Sequence, residues 1–529
     1  MTVSVPSDDL HLGSFPEPGA WSLVDQPPRW RAAVPALRRR LAREIPRLTT
    51  PPKLPPVGRA AVVLRHLGWA IGAWYVRDRG KERSRAELSR RFREAAEALG
   101  PTYIKLAQII SAGEGVFPPE LVAECRKCRD QVPAVPYEDV VAVIEQDLGQ
   151  PLHRVFSSFE PIPVAAASIA QVHRAVLTTG EPVVVKVQRP GIDVVVRRDL
   201  KVLSWLAPFL VGRIAVSALA NPPALVELFA QTIVEELDFR LEADNMLDVA
   251  QVFVDLDQSG FVVPRPHPRH VTRRVLVMER LNGFAFDDVG GITGAGVDTH
   301  EVIRTAMIGF LEGAFLHGVF HGDLHAGNLF VLEDGRVGLV DFGITGRLNE
   351  GERMAFLRLM MASTTNDLRG QVAALRDLGA LPPDTDIDRV IADLGLDGPP
   401  IDPTKMAPEE LIAEIQRIIK ALLGYGARMP KPLMLYVKNM IFIDGAIATL
   451  APDLDMFAMI TTIATHFATT HGAAIAAQLG EDPAGWTVDT SAFRAGFGVD
   501  PDETTSMTYA ELVDRRRLIS RRLGGRRPE

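Results

Sequence analysis

The sequence predicts an α+β fold in which a short β-rich region separates two helical blocks. Apolar residues recur at three- and four-residue spacing from about Arg59 to Leu148, which is typical of helices. From Pro151 the pattern changes to short β-rich runs that end near Leu281. After Leu281 the chain reads as helical again, except for one hairpin. We therefore expect a small β-rich unit with helices before and after it.

Length and composition indicate a globular body with more than one core. The chain has 529 residues, of which 47% are hydrophobic and 23% charged. Its only two cysteines, Cys125 and Cys128, argue against a disulfide framework, and no secretory pattern follows Met1. We expect a cytoplasmic protein without a nucleic-acid partner, and the oligomeric state stays open.

The N-terminal part of the chain is basic, although the net charge of the whole chain is −8. Lys and Arg outnumber acids between Arg29 and Arg93. Residues 1–57 are rich in Pro and Arg without sustained periodicity, which predicts an extended lead segment. Such an arm suits the inner face of the cell membrane, because anionic lipids attract each basic residue by roughly 1 kcal/mol. A solvated, partly disordered arm is the equal alternative.

Two apolar segments fall short of a membrane-spanning helix. "AAVVLRHLGWAIGAWYV" starts at Ala60 and contains Arg65, and "LSWLAPFLVGRIAVSALA" starts at Leu203 and contains Arg213. A spanning helix needs about 20 apolar residues in succession. We interpret both segments as buried or interfacial helices, and the first, which contains tryptophan and ends in basic residues, as the better candidate for a membrane interface.

The β-rich region predicts one hairpin, a third strand and a long helix. "SIAQVHRAVL" and "PVVVKVQRP" flank the turn "TTGE", and "RRVLVMERL" supplies the third strand. "LFVLEDGRVGLVDFG" predicts a second hairpin through its Asp-Gly turn. The segment that begins at Asn221 predicts one long amphipathic helix, since apolar residues repeat every four positions at Leu225, Phe229, Ile233, Leu237 and Leu241.

Four polar residues occur in the order that phosphoryl transfer requires. Lys186 lies in the strand "VVVKVQRP", where it would bind nucleotide phosphates. Asp323 and Asn328 are five positions apart in "HGDLHAGN", and Asp341 begins Asp-Phe-Gly. We expect Asp323 to act beside the phosphate acceptor and the other two to hold Mg²⁺. Together they predict a protein that binds ATP or ADP with Mg²⁺.

The ammonium group of the strand lysine needs a carboxylate partner, and we favour Glu242 because Asp238 and Glu242 lie one turn apart on the predicted helix. Before the first hairpin the chain has "VAAASIA" in place of the glycine-rich loop of protein kinases, and no Ala-Pro-Glu follows Asp341, so a groove for a protein substrate is poorly supported. The residues assigned to the nucleotide site are Ala165, Ala166, Ala167, Ser168, Lys186, Glu279 and Leu281.

These motifs resemble the UbiB-type (AarF-like) atypical kinases. The resemblance runs from about Glu97 to Leu348 and is carried by "LGPTYIKLAQ", "AAAS", "VVVKVQRPGI", "EELDFRLEADN", "HGDLHAGN" and "VDFG". It implies a bilobal protein-kinase-like fold with a small β-rich N-lobe, a helical C-lobe and an N-terminal helical extension. It also implies a link to quinone or other isoprenoid-lipid metabolism at a membrane surface.

The resemblance assigns regulatory roles as well. Lys105 and Gln108 would lie on a helix that covers the pocket for a peptide substrate, and Glu236 and Asp238 would meet that helix. This chain has Ala107 where the family usually has glycine. The expected divisions are a lead segment 1–57, a helical extension 58–150, an N-lobe 151–281, a C-lobe 282–480 and a tail 481–529.

Two other interpretations of function stay open. "HGDLHAGN" is also similar to the loop of soluble aminoglycoside and choline kinases, and a non-catalytic, nucleotide-gated lipid-binding module would keep the same motifs. His321 and His325 lack a third metal ligand at useful spacing, so we expect them to hold backbone. Cys125 and Cys128 lack the second pair of a structural zinc site and are interpreted as structural.

Overall fold

The computed structural model has two compact units. Unit 1 comprises Met1–Ala250, Val263–Leu281 and Val340–Ile344, and unit 2 comprises Gln251–Val262, Asn282–Leu339 and Thr345–Glu529. The structure describes residues 28–56, 58–77, 84–111, 117–128, 133–210, 222–365, 367–395, 417, 421–422, 424–427, 430–480 and 506–523. Residues 1–27 of the predicted lead segment, Arg213 and most of the predicted tail lie outside this part of the chain.

The strands in the described residues are short. They are β1 Phe156–Phe159, β2 Ala165–Ala166, β3 Ala170–Leu177, β4 Pro182–Gln188, β5 Phe261–Val262, β6 Pro266–Val271, β7 Val275–Glu279, β8 Phe284–Ala285, β9 Val319–His321, β10 Leu329–Val331, β11 Val337–Leu339 and β12 Thr345–Arg347.

Helices account for most of the remaining described chain. They are α1 Val34–Thr49, α2 Arg59–Arg77, α3 Ser84–Leu99, α4 Pro101–Ser111, α5 Pro119–Cys125, α6 Tyr137–Leu148, α7 Leu152–Val155, α8 Ile192–Leu210, α9 Pro222–Glu235, α10 Phe239–Asp255, α11 Val289–Gly294, α12 Thr299–Glu312, α13 Glu350–Thr364, α14 Leu368–Asp377, α15 Ile387–Leu394, α16 Lys431–Leu450, α17 Met456–His466, α18 Gly472–Leu479 and α19 Tyr509–Leu523.

Unit 1 contains an antiparallel sheet with the order β1-β3-β4-β7-β6, and β2 pairs with the end of β3. The predicted hairpin is confirmed as β3 and β4, with Val172 opposite Lys186. Successive side chains of a strand point to opposite faces. Val183, Val185 and Val187 therefore pack together against α6 in one apolar core, and Lys186 points to the other face of the sheet.

The predicted single long helix after Asn221 is wrong. The chain forms α9 and α10, and residues 236–238 between them are not helical. The backbone N–H of Phe239 donates to the carbonyl of Arg273 at 3.0 Å, beside the turn that joins β6 to β7. This contact with the sheet replaces a helical hydrogen bond, so the apolar repeat continues through a break in the helix.

The predicted extended lead segment is also wrong between residues 34 and 49, where the chain forms α1. One stripe of this helix is buried, comprising Val34, Leu41, Ile45 and Leu48. Arginines then tie the segment to α10. Arg31 contacts Asp244 at 2.9 Å and Asp248 at 2.6 Å, and Arg38 contacts Asp244 at 2.8 Å. Apolar burial and ion pairing together order this basic segment.

Unit 2 holds two small sheets among its helices. One sheet has the order β5-β11-β10-β8, and β9 pairs with β12. The predicted Asp-Gly hairpin is confirmed as antiparallel β10 and β11, and Gly335 in its turn has φ of +84°. The segment "GDLHAGN" connects β9 to β10, so both ends of this loop are fixed by strands.

Within the described residues, α16 is long and apolar enough to cross a membrane by length and composition, and 39% of its apolar window is buried in the structure. Its buried residues include Leu435, Asn439 and Ile443. Asn439 donates to the carbonyl of His321 and accepts from the N–H of Leu324 at 3.0 Å. We interpret α16 as a core helix of unit 2.

A buried ion pair holds the helical extension to α8. Asp199 is fully buried, and its two carboxylate oxygens accept from Arg59 at 2.5 and 3.0 Å. We expect Arg59→Met to lower the free energy of unfolding by about 3 kcal/mol, because it leaves a buried charge unpaired. Chemical denaturation followed by circular dichroism measures this loss.

The matched variant is the double substitution Arg59→Met with Asp199→Asn. It removes the unpaired charge at nearly constant volume, so it should recover much of the lost stability. A double variant as unstable as Arg59→Met alone would contradict this account.

Candidate active site in two parts

Lys186 lies between two carboxylates in unit 1. Its Nζ atom is 2.7 Å from Oε1 of Glu242 and 2.9 Å from Oδ1 of Asp341. Burial lowers the pKa of Lys186, but the charges of Asp341 and Glu242 outweigh that effect and hold the pKa above its ordinary value. Burial raises the pKa of Glu242, and the Lys186 ammonium opposes the rise. The structure thus brings together three residues that the sequence placed in one site.

The backbone around Asp341 is specialised. Asp341 has φ of +61°, in the left-handed region that residues other than glycine seldom adopt. Phe342 is fully buried, and its carbonyl accepts from Nδ2 of Asn245 at 2.8 Å. Asn245 lies on α10, one turn after Glu242. A single helix therefore positions both the partner of Lys186 and the Asp-Phe-Gly backbone.

The alanine-rich loop forms an edge of the same sheet. Ala165 and Ala166 make up β2 and pair with Val172 and Gln171 of β3. The N–H of Ala167 donates to the carbonyl of Ala170 at 2.8 Å, which closes the turn into β3. Ser168, within that turn, is buried, whereas Ala165 and Ala167 are exposed.

The other two residues assigned to the nucleotide site lie at the end of β7. Glu279 is buried, and Oε2 of its carboxylate accepts from the backbone N–H of Arg265 at 3.2 Å. Its own N–H donates to the carbonyl of Arg265 at 3.0 Å. Leu281 is half-buried after the strand. Glu279 therefore holds the backbone at Arg265. A contact between Glu279 and the nucleotide stays a prediction.

The predicted regulatory acids separate in the structure. Nζ of Lys105 on α4 is 2.8 Å from Oε1 of Glu236. Asp238 instead pairs with Arg240 at 2.6 Å. Asp238 directly precedes α10, and its carboxylate also accepts from the backbone N–H of Arg240 in the first turn of that helix. Its expected contact with the Lys105 helix is therefore wrong. Gln108 lies on α4 one turn after Lys105.

Glu236 also lies against the Asp-Phe-Gly segment. A methyl group added at Gly343 would approach the Cγ atom of Glu236 to 3.3 Å and Oδ1 of Asp341 to 3.3 Å. A side chain at this position would require these two acidic side chains to move by a few tenths of an ångström. Lys105, Glu236 and the backbone beside Asp341 thus form one continuous set of contacts within unit 1.

The loop between β9 and β10 in unit 2 holds Asp323 and Asn328. Nδ2 of Asn328 donates to the carbonyl of Asp323 at 3.0 Å. The Asp323 carboxylate forms an ion pair with Lys438 of α16. The adjacent Asn439 of α16 holds the backbone on both sides of the loop, at His321 and Leu324. Helix α16 therefore supports the loop through two successive side chains.

The two histidines of this loop hold backbone, as predicted. Nδ1 of His321 accepts from the N–H of Asp323 at 3.2 Å, and Nδ1 of His325 accepts from the N–H of Gly327 at 3.1 Å. Cys125 and Cys128 are buried and form no disulfide, and burial raises the pKa of Cys125 to about 12. These thiols are structural and poorly suited to nucleophilic chemistry.

Comparison with known proteins places the chain among kinase-like proteins. A family model described as the ABC1 atypical kinase-like domain matches residues 127–375. The uncharacterized protein Rv0647c of Mycobacterium tuberculosis is 36% identical over 368 residues, which cover 68% of this chain and 74% of that protein. A Marinobacter nauticus protein named probable protein kinase UbiB is 32% identical over 379 residues, which cover 70% of this chain and 69% of that protein.

The chain belongs to the UbiB/AarF atypical kinase-like family. An Arabidopsis thaliana chloroplast protein named as an uncharacterized aarF domain-containing protein kinase agrees with this, at 32% identity over 394 residues, 69% of this chain and 72% of that protein. The predicted family and the predicted α+β kinase-like fold are confirmed. The domain limits and the roles of individual site residues stay predictions.

Three supporting residues of this UbiB/AarF protein escaped sequence reasoning. Lys438 and Asn439 follow Asp323 by more than 100 positions and lie in an apolar helix without a recognisable motif. Asn245 lies within the quoted stretch "EELDFRLEADN", but its partner is a backbone carbonyl, which leaves no mark in a sequence. A polar pair inside an apolar helix was the available sign for Lys438 and Asn439.

We expect Lys186→Met to make stability strongly dependent on pH. Without the ammonium group, burial raises the pKa of Glu242 further above its unfolded value, so the folded state keeps its proton while the unfolded state loses it. In wild type the pKa of Glu242 is about 7, so stability relative to wild type should fall as pH rises above about 7, by at most about 1.4 kcal/mol per pH unit. Thermal unfolding at each pH measures this deficit.

The double variant Lys186→Met with Glu242→Gln is the control, because no titratable group is left at the buried position. Its deficit should be nearly independent of pH. A pH-independent deficit in Lys186→Met alone would show that burial of Glu242 is not the cause.

Proposed function

We propose that this family member binds Mg²⁺ with ATP or ADP and hydrolyses ATP or transfers its terminal phosphoryl group to a small molecule or lipid. The observation that carries the proposal is Lys186 held between Glu242 and Asp341. An ammonium group held this way is fixed in position and protonated, which suits binding to nucleotide phosphates. The exposed alanine loop beside it leaves the backbone of β2 accessible to a phosphate chain.

Each unit presents one residue whose chemistry suits a magnesium ion. The Asp341 side chain is 46% exposed, so its carboxylate can reach a ligand from solvent. Asn328 uses its Nδ2 on the Asp323 carbonyl, and among the described residues its Oδ1 has no hydrogen-bond donor. Oxygen atoms are the ligands that Mg²⁺ prefers. When bound, the ion would neutralise charge on the nucleotide phosphates.

Asp323 would orient the acceptor. Its carboxylate is mostly buried and paired with Lys438, which holds it in one position. A fixed carboxylate can accept a proton or hydrogen bond from an attacking hydroxyl group or water. The Lys438 ammonium would add positive charge where a phosphoryl group develops negative charge. The carboxylate of Asp323 and the ammonium group of Lys438 would therefore serve transfer of a phosphoryl group to a hydroxyl group or to water.

Lys105 and Glu236 would restrain the nucleotide site. Their ion pair is largely buried and lies next to Gly343, beside the proposed magnesium ligand Asp341. A contact of this kind limits movement of the Asp-Phe-Gly backbone. We propose that it, with the short alanine strand, keeps phosphorylation of proteins slow.

We propose an anionic membrane as the surface on which the protein works, with a lipid or isoprenoid-quinone type of molecule as the acceptor. One side of α2 exposes large apolar side chains to solvent, including Trp69, Ile71, Tyr75 and Val76. Tryptophan and tyrosine favour the membrane–water interface. Exposed arginines of α1 line a cleft of about 760 Å³. Helices α1 and α2 both pack on α8. These features support attraction to lipid phosphates.

We expect Mg²⁺-ATP to raise the melting temperature of the wild-type protein, because a ligand that binds only the folded state stabilises it. Asp341→Asn should lose most of the magnesium-dependent part of this rise and of any ATP turnover. Differential scanning fluorimetry with ATP, with and without Mg²⁺, measures the first effect, and phosphate release measures the second.

Asp334→Asn is the matched control, since Asp334 lies in the β10–β11 turn and pairs with Arg336. It should behave as wild type. The absence of any nucleotide-dependent shift in the wild type would remove the proposal. A shift without turnover would favour the nucleotide-gated binding module.

We expect the wild-type protein to sediment with vesicles that contain anionic phospholipid and not with purely zwitterionic vesicles. Trp69→Ser with Val76→Ser should reduce binding several-fold, because each substitution removes apolar surface available to the interface. Ile162→Ser is the control, since Ile162 is 81% exposed on the loop between β1 and β2. Equal binding of all three proteins would exclude α2 as the contact.

A further inference from the structure

Unit 2 contains a cluster of metal-ligating side chains outside the proposed kinase site. Oε1 of Glu312 is 2.7 Å from Nε2 of His466 and 2.9 Å from Nε2 of His471. The three atoms lie within 4.8 Å of one another. Glu312 ends α12, whereas both histidines come from the C-terminal end of α17 and the turn after it. Two elements far apart in sequence therefore present three ligand atoms to one point.

The two histidines face the same point because the helix changes its winding. Residues five positions apart lie about 140° apart around an α-helix, which would aim the two rings in different directions. The chain forms a π-helical turn over Phe467–His471, directly after His466. The i to i+5 winding of such a turn brings residues five apart close to alignment. Isolated π turns of this kind are frequently found at functional sites.

A second π-helical turn, Gly313–His317, follows directly after Glu312. The chain then reverses at Gly318 and enters β9, which leads to Asp323 eleven residues after Glu312. Both sides of the cluster are thus built from the same irregular winding. The carboxylate side is connected to the Asp323 loop by only one strand.

Glu312 is a buried carboxylate whose described partners include no lysine or arginine. Its side chain is 2% exposed, and Oε2 accepts from Nε2 of Gln258 at 3.0 Å. Burying a carboxylate without a cation is costly. The two imidazoles supply that cation only when they are protonated. A bound metal ion would neutralise the carboxylate while the imidazoles stay neutral.

We propose that Glu312, His466 and His471 form a binding site for a divalent transition-metal ion of the zinc type. Two imidazole nitrogens and one carboxylate oxygen are a donor set that zinc accepts, with water as the fourth ligand. The His466 side chain is 31% exposed, so the site opens to solvent on that side. Gln258 holds the second carboxylate oxygen and would orient the ligand from behind.

The two carboxylate–imidazole distances are close to those of a zinc site. Ligands at about 2.0–2.1 Å from a tetrahedral zinc ion lie about 3.3 Å from one another. The carboxylate–imidazole distances are 2.7 and 2.9 Å, so each imidazole would move outward by about half an ångström. The two imidazole rings are already inclined at 78° to each other. On binding, a neutral imidazole would carry its proton on Nδ1 instead of Nε2, and an imidazolium would release its Nε2 proton to water, so that each ring is neutral with a free Nε2 lone pair.

This site differs chemically from the proposed magnesium ligands. Asp341 and Asn328 offer only oxygen, whereas the cluster offers two nitrogens, and imidazole suits zinc better than magnesium. A zinc ion here would join α12 to the end of α17 and hold the chain that enters β9. The expected role is to stabilise unit 2 rather than to take part in phosphoryl transfer.

Titration of the chelator-treated full-length protein with Co²⁺ and with Zn²⁺, both in excess Mg²⁺, tests the proposal. Co²⁺ should produce the visible absorption of a four-coordinate site at one equivalent per chain. Zn²⁺ should displace it and raise the melting temperature. His471→Gln should weaken binding at least about 100-fold, and Gln258→Leu about 10-fold, since loss of a ligand costs more than loss of its support.

The His471→Gln side chain still carries an N–H that can donate to Glu312, so this variant should stay folded, as circular dichroism without metal will verify. His466→Gln provides a second ligand variant. His300→Gln is the control, because His300 forms an exposed pair with Asp453 and should leave metal binding unchanged. Absence of the Co²⁺ spectrum in the wild type, or equal affinity in the wild type and both ligand variants, would overturn the proposal.

Discussion

The buried ammonium group of Lys186 is the constraint on which the rest of unit 1 depends. A charge in that position is tolerable only when carboxylates meet it with good geometry, and Glu242 and Asp341 do so at 2.7 and 2.9 Å. Strand β4 presents the lysine on one face of the sheet while its valines pack against α6 on the other. Helix α10 and the Asp-Phe-Gly segment must therefore approach the same face of that strand.

Helix α10 connects this charge to the N-terminal extension. Glu242 and Asn245, one turn apart, face Lys186 and the Phe342 carbonyl. Asp244 and Asp248, also one turn apart, accept the arginines that order α1 and the turn before it. The helix is thus held from two sides by charged contacts. An extension that looked like a solvated arm becomes part of the support of the lysine site.

The loop that carries Asp323 depends on a different kind of support. Short strands fix its ends, and two adjacent side chains of α16 hold its carboxylate and its backbone. Helix α16 is apolar enough to resemble a membrane span, yet Asn439 is fully buried because its amide replaces backbone partners that the loop lacks. The cluster at Glu312 lies on the chain that leads into the same loop, so unit 2 concentrates its buried polar groups around this segment.

The sequence by itself determined the family, the α+β class, both hairpins and the identity of the lysine partner, because each follows from local spacing or from motifs with a fixed order. It did not determine the break between α9 and α10 or the helix at residues 34–49, since a distant carbonyl at Arg273 and acids on α10 decide them. Nor did it determine that Asp238 pairs with Arg240, a contact that depends on the break before α10. Periodicity records which residues are buried, whereas only the tertiary structure decides which distant polar group each buried or charged residue meets.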